Sequence, residues 1–124
     1  MRQVLAIAAG GAVGSLLRFW MSNWVHSFAD RSFPYGTLVV NVLGCLLMGF
    51  LFVLFIERLS DNPALRAGIL IGVIGGFTTF SSFSIETFNL IEQGAWAKAV
   101  ANMSGSLVLC VGATWIGVML GRQV

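Results

Sequence analysis

The chain has little of what chemistry in water uses. Asp, Glu, Lys and Arg make up 10% of its 124 residues, histidine occurs once, and proline and cysteine occur twice each. With His26 alone, metal or general-base chemistry built on imidazole has almost nothing to work with. Cys45 and Cys110 form no CxxC pair and fall inside apolar stretches, so they read as small packing residues, not as a disulfide or metal site. A net charge of +2, scattered along the chain, offers no footprint for nucleic acid. No nucleophile, base and orienting group stand together, so an enzyme is not expected.

What is abundant is apolar surface. Hydrophobic residues make up 57% of the chain and mean hydropathy is +0.89, which marks an integral membrane protein. Four apolar segments, at about 3–25, 36–56, 65–90 and 96–120, predict one all-α domain of four transmembrane helices over residues 1–124. Arg2 gives the first segment the look of a signal peptide. The segment is too long for an h-region and contains Arg18, so it is expected to stay as a span.

The glycines are placed for close helix contact. Gly10, Gly11, Gly14 and Ser15 give small-xxx-small spacing in the first span, Gly44 and Gly49 leave room in the second, and Ala113, Gly117 and Gly121 form a stripe in the fourth. Arg18 has two readings of equal weight: snorkelling to the interface that Trp20 and Trp24 mark, or attraction of an anion and tethering of loop carbonyls. Asn41 carries a primary amide that must face protein or a wet cavity. It is either an interhelical hydrogen bond or a donor lining a pore. Asn102, Ser104, Ser106 and Thr114 are the polar residues of the fourth span.

The third segment is unusual. Its 26 residues would span roughly 39 Å as helix, against a hydrocarbon core of about 30 Å. Gly68, Gly72 and Gly76 lead into Gly75-Gly76-Phe77-Thr78-Thr79-Phe80-Ser81-Ser82-Phe83-Ser84, which places two glycines, five hydroxyls and three phenylalanines in ten positions. Poor helix formers and β-branched residues together predict a helix broken mid-membrane. Backbone groups freed there need partners, and such breaks tend to be ion or substrate sites. Phe77, Phe80 and Phe83 would share one face if helix resumes. Glu86 follows one turn on, as an interfacial carboxylate or a pore-mouth residue.

Four spans put both termini on one side, with Arg2, Arg58, Arg66 and Arg122; the other side carries Arg31 and Lys98, with Arg18 if it reaches the interface. So weak a positive-inside bias permits both orientations. Two copies then pair antiparallel about a two-fold axis in the membrane plane.

Three blocks carry a resemblance to a known family: Gly10-Gly11-Ala-Val-Gly14-Ser15-Leu-Leu-Arg18, Gly36-Thr-Leu-Val-Val-Asn41-Val-Leu-Gly44, and Gly72 through Glu86. The chain resembles the Fluc (CrcB) fluoride channels over nearly its whole length. The resemblance implies a dual-topology homodimer in the bacterial cytoplasmic membrane, with two pores that let fluoride leave the cell passively. It implies pore roles for Phe80, Phe83 and Asn41. It also implies a structural sodium ion at the dimer centre, held by the backbone carbonyls of Gly75 and Thr78. Ser81, Ser106, Thr114 and Glu86 are further candidates along the pore. Phe19 stands where the family often has tyrosine, and the fourth span has no tyrosine, so the polar track there departs from the family pattern. The main alternative, a small multidrug-resistance-type proton-coupled transporter, needs a carboxylate in its first helix, where this chain has Arg18.

Overall fold

The computed structural model describes residues 1–58 and 62–124, and of Arg58 the backbone alone. Among the described residues, four helices are long and apolar enough to cross a membrane: Arg2–His26, Tyr35–Glu57, Pro63–Glu92 and Trp96–Gln123. Residues 59–61 of the expected second loop, and the side chain of Arg58 with its share of the charge bias, lie outside the described residues.

Within these spans the regular elements are α1 (Arg2–His26), α2 (Tyr35–Phe52), α3 (Pro63–Ala67), α4 (Gly75–Phe77), α5 (Phe80–Glu92) and α6 (Trp96–Gln123). Two stretches wind wider than an α-helix, with π-type turns: Val53–Arg58, which continues α2, and Gly68–Ile74, which joins α3 to α4. Wide turns advance less per residue, so they take up part of the third span's excess length.

Local chemistry sets the ends of the elements. Asn62 accepts from the Leu65 N–H and Pro63 occupies the first turn of α3, a favourable helix start. In the first loop the Ser32 N–H and hydroxyl both donate to Asp30, each at 3.0 Å, and hold its carboxyl below the usual carboxylate range. His26 Nε2 accepts from the Gly36 N–H at 3.1 Å and ties the end of α1 to the start of α2. The neutral ring therefore carries its proton on Nδ1, which is buried and meets no partner among the described residues. Gly94, with φ +78°, makes the turn between α5 and α6 in a conformation that suits glycine.

The helices pair through glycine, but not in chain order. A Cβ on Gly10 would strike the Gly68 carbonyl and one on Gly14 the Val73 carbonyl, so α1 lies backbone to backbone on the third span. A Cβ on Gly49 would strike the Thr114 carbonyl and one on Gly117 the Leu46 carbonyl, which sets α2 just as tightly on α6. Ala113, Gly117 and Gly121 are all buried. Gly117→Ala should force α2 and α6 apart and cost about 1–3 kcal/mol or more. At Gly112 an added Cβ meets nothing within 4 Å, so Gly112→Ala should be tolerated. The folded fraction of each variant in graded sodium dodecyl sulfate measures the contrast, and equal losses would contradict it.

Candidate functional site

The helix opens one turn later than the glycines suggest. Gly75 and Gly76 remain helical, while Thr78 (φ −86°, ψ 157°) and Thr79 (φ −150°, ψ 121°) are extended. Both ends of the break are finished by side chains. Thr78 Oγ1 donates back to the Ile74 carbonyl at 3.1 Å. Thr79 caps α5, its hydroxyl accepting from the Ser82 N–H at 3.1 Å.

Asn41, from α2, closes the break. Its Nδ2 donates to the Thr79 carbonyl at 3.0 Å, and its Oδ1 accepts from the Thr79 N–H at 2.8 Å. The amide thus stands in for the neighbouring strand or turn of helix that an extended residue lacks. Asn41 makes the interhelical hydrogen bond of its first reading, to Thr79, and its side chain also borders the cavity described next. One N–H of the amide is left over.

That cavity is a groove of about 490 Å³ between α2, the break and α6, bounded by Asn41, Thr79, Phe80, Phe83, Ser106 and Cys110 among others. The Phe80 and Phe83 rings lie 5.3 Å apart and tilted by 41°, with Phe80 78% exposed on the groove side of the chain. Phe77 does not join them. The break turns it to the opposite side, where it is buried beside an apolar cavity lined by Trp20, Trp24 and Leu47.

Behind Phe83 lies a buried hydrogen-bonded chain that composition alone did not single out. Ser106 donates to Asn102 Oδ1 at 3.5 Å, Asn102 Nδ2 to Thr87 Oγ1 at 2.9 Å, and Thr87 to the Phe83 carbonyl at 2.8 Å. It links the groove wall on α6 to the backbone that carries Phe83. Thr87 was hidden in the sequence because a helical threonine ordinarily bonds only its own backbone.

The remaining candidates separate. Thr114 donates to the Cys45 carbonyl at 3.2 Å, in the α2–α6 contact, and does not line the groove. Ser81 is exposed and shares a 3.2 Å hydrogen bond with Thr79 Oγ1. Arg18 takes the tethering role, its Nε donating to the Gly76 carbonyl at 3.1 Å. Glu86 stands between two polar cavities. One, of about 230 Å³, contains Ser15, Arg18, Ser22, Thr37, Thr79 and Ser82. The other, of about 410 Å³, opens towards the first loop at His26, Arg31 and Ser32. The Glu86 Oε1 is buried without a partner among the described residues. Thr79 lines both the smaller polar cavity and the groove. Glu86 is thus a wall residue of both polar cavities, and Thr79 of the smaller one and the groove.

The break also bears on a cation. A continuous helix would send the Thr79 N–H to the Gly75 carbonyl and the Ser82 N–H to the Thr78 carbonyl. Here the first goes to Asn41 and the second to the Thr79 hydroxyl. Gly75 and Thr78 thus each hold a carbonyl that has lost its helical donor. Neutral oxygen donors of this kind fit a hard monovalent cation.

Comparison with known proteins agrees with this architecture. The profile of the family described as CrcB-like protein, Camphor Resistance (CrcB), matches residues 5–118. A Fluoride-specific ion channel FluC of Magnetococcus marinus is 47% identical over 122 residues, covering 98% of this chain and 99% of its own. One from Coxiella burnetii is 50% identical over 122 residues, covering 98% of each. One from Geobacter metallireducens is 43% identical over the full length of both. With a family profile and full-length relatives all matching, this chain belongs to the CrcB family.

Proposed function

We propose that the chain is a fluoride-selective ion channel, passively exporting fluoride across the bacterial cytoplasmic membrane and so lowering its toxicity. The observation that carries this reading is a set of three cavities that share Glu86 and Thr79 as wall residues. Asn41, Thr79 and Ser106 place neutral donors in the otherwise apolar wall that holds Phe80 and Phe83, in a chain whose relatives bear the name Fluoride-specific ion channel FluC. Fluoride is small and strongly hydrated, so a pore must replace its water. Hydroxyls and an amide do so without holding the ion as a fixed charge would, and phenylalanine edges present the positive end of the ring quadrupole. Weak, successive sites let the ion enter and leave. Proton-coupled drug export has no support: α1 contains no carboxylate and the family is CrcB. In liposomes holding only the purified protein, fluoride should run down its gradient and generate a diffusion potential. Efflux that requires a proton gradient would refute the channel.

The groove is open along one side of the single chain, with Phe80 exposed. A second copy, inserted antiparallel, completes two pores, with each break at mid-membrane. Cysteine labelling of a terminus in cells should find it on both sides of the membrane; labelling from one side only would exclude dual topology.

At the centre of that dimer the carbonyls of Gly75 and Thr78 from both copies would hold a structural sodium ion. When bound, the ion supplies positive charge to carbonyls that lipid cannot solvate. Since backbone supplies the donors, Thr78→Ser should keep function, and sodium-free buffer should weaken activity or assembly. An unchanged dimer with full flux in that buffer would rule the ion out.

A further inference from the structure

Cys45 and Cys110, 65 positions apart and unremarkable in the sequence, meet in the wall of the groove. Both residues are free and half-buried, and the contacts of Thr114 with the Cys45 carbonyl and with Gly49 bring the turns that carry the two thiols side by side. We propose that the two thiols together form a two-coordinate site for a soft, thiophilic metal ion of the mercury(II), silver(I) or copper(I) class.

Three features support the pair as a site. The backbone beneath it is fixed: one turn along, Thr114 donates to the Cys45 carbonyl at 3.2 Å, and Gly49 abuts the Thr114 carbonyl. The spacing of the thiols is therefore set by the α2–α6 contact, not by flexible side chains. The donor set is also selective. The groove lining holds no imidazole and no carboxylate, so zinc, which takes four such ligands, finds only two. Two sulfurs suffice for soft ions that accept linear coordination. Finally, the thiols face the groove, so an ion arriving there meets them directly. Access from water rests on the groove being the anion route proposed above.

Binding needs no oxidant. Mercury(II) forms two S–Hg bonds, two S–H bonds break, and two protons pass to water. The ion then lies in the same wall as Asn41, Phe80 and Phe83, where it blocks the passage.

Mercury(II) chloride is the probe, added to the purified full-length protein. Thiolate–mercury absorption in the ultraviolet and titration of remaining thiols should show one mercury per chain consuming both thiols. Removing it with 2-mercaptoethanol should need about 100-fold more of the monothiol for the native chain than for Cys45→Ser or Cys110→Ser, because the second thiol is held at high effective concentration. If a serine variant misfolds, Cys110→Ala replaces it. Two mercury ions per chain, one on each thiol, or equal retention in the single variants, would overturn the site. In liposomes, fluoride efflux of each variant is compared with its own mercury-free rate. Two-thiol capture that leaves efflux untouched upholds the metal site and instead overturns the groove as the anion path.

Discussion

Phe80→Ile and Phe83→Ile should each slow fluoride flux by roughly 5- to 30-fold while the protein still folds. The rate follows from the ring edges. A contact between an ion and an aromatic quadrupole is worth about 1–2 kcal/mol in a desolvated site, and about 1.4 kcal/mol is tenfold in rate. Isoleucine keeps most of the volume and none of the quadrupole. The cost to the fold is small, under about 1.5 kcal/mol for such a swap, and smaller still at Phe80, which is 78% exposed. Phe77 provides the comparison within the same segment. It is buried on the far side of the break, so Phe77→Ile should lower stability and leave flux per folded dimer near the native value. Fluoride efflux per folded dimer, with size-exclusion chromatography as the folding control, separates the two roles. Near-native flux in both Phe80→Ile and Phe83→Ile would remove these rings from the pore.

Asn41→Ala should be the most damaging single change in stability. It strips both partners from the Thr79 peptide group, whose N–H and C=O bind the Asn41 amide at 2.8 and 3.0 Å. Each unsatisfied group costs about 1–3 kcal/mol, so the break loses about 2–6 kcal/mol of support. Asn41→Asp is the sharper probe. Its carboxylate can still accept from the Thr79 N–H but cannot donate to the Thr79 carbonyl, and its charge repels an anion. Protonation restores an O–H donor and removes the charge. Flux in this variant should therefore be low at neutral pH and recover towards acid pH, whereas Asn41→Ala should stay inactive throughout. A flat, near-native pH profile for Asn41→Asp would show that the amide neither supports the break nor lines the anion route.

The four spans were legible because apolar length is a local property, and so was the cluster at residues 75–84, whose hydroxyls are conspicuous among aliphatic residues. Which residues of that cluster open was not. Intrinsic propensity marks Gly75, Gly76, Thr78 and Thr79 alike, and only the contacts of Arg18, Asn41 and the Thr79 cap single out the threonines. Asn41 lies 38 positions from its partner and Arg18 lies 58 from its own. Spacing along one helix placed Phe77 with Phe80 and Phe83, and an extended pair between them undid that face. The wide turns at Gly68–Ile74 follow from close approach to α1, which no single segment reveals. The thiol pair is hidden for the same reason: α2 and α6 meet only in the folded chain.

The pairing of α1 with the third span has a consequence for biosynthesis. Arg18 enters the bilayer 58 residues before Gly76, the carbonyl that accepts its hydrogen bond. At about 5–20 residues per second the ribosome needs roughly 3–12 s to close that gap. Throughout that interval the guanidinium, eight residues before the end of the first helix, lacks the carbonyl that holds it in the folded chain. The contact of the first helix with the third therefore forms only once the third has been made.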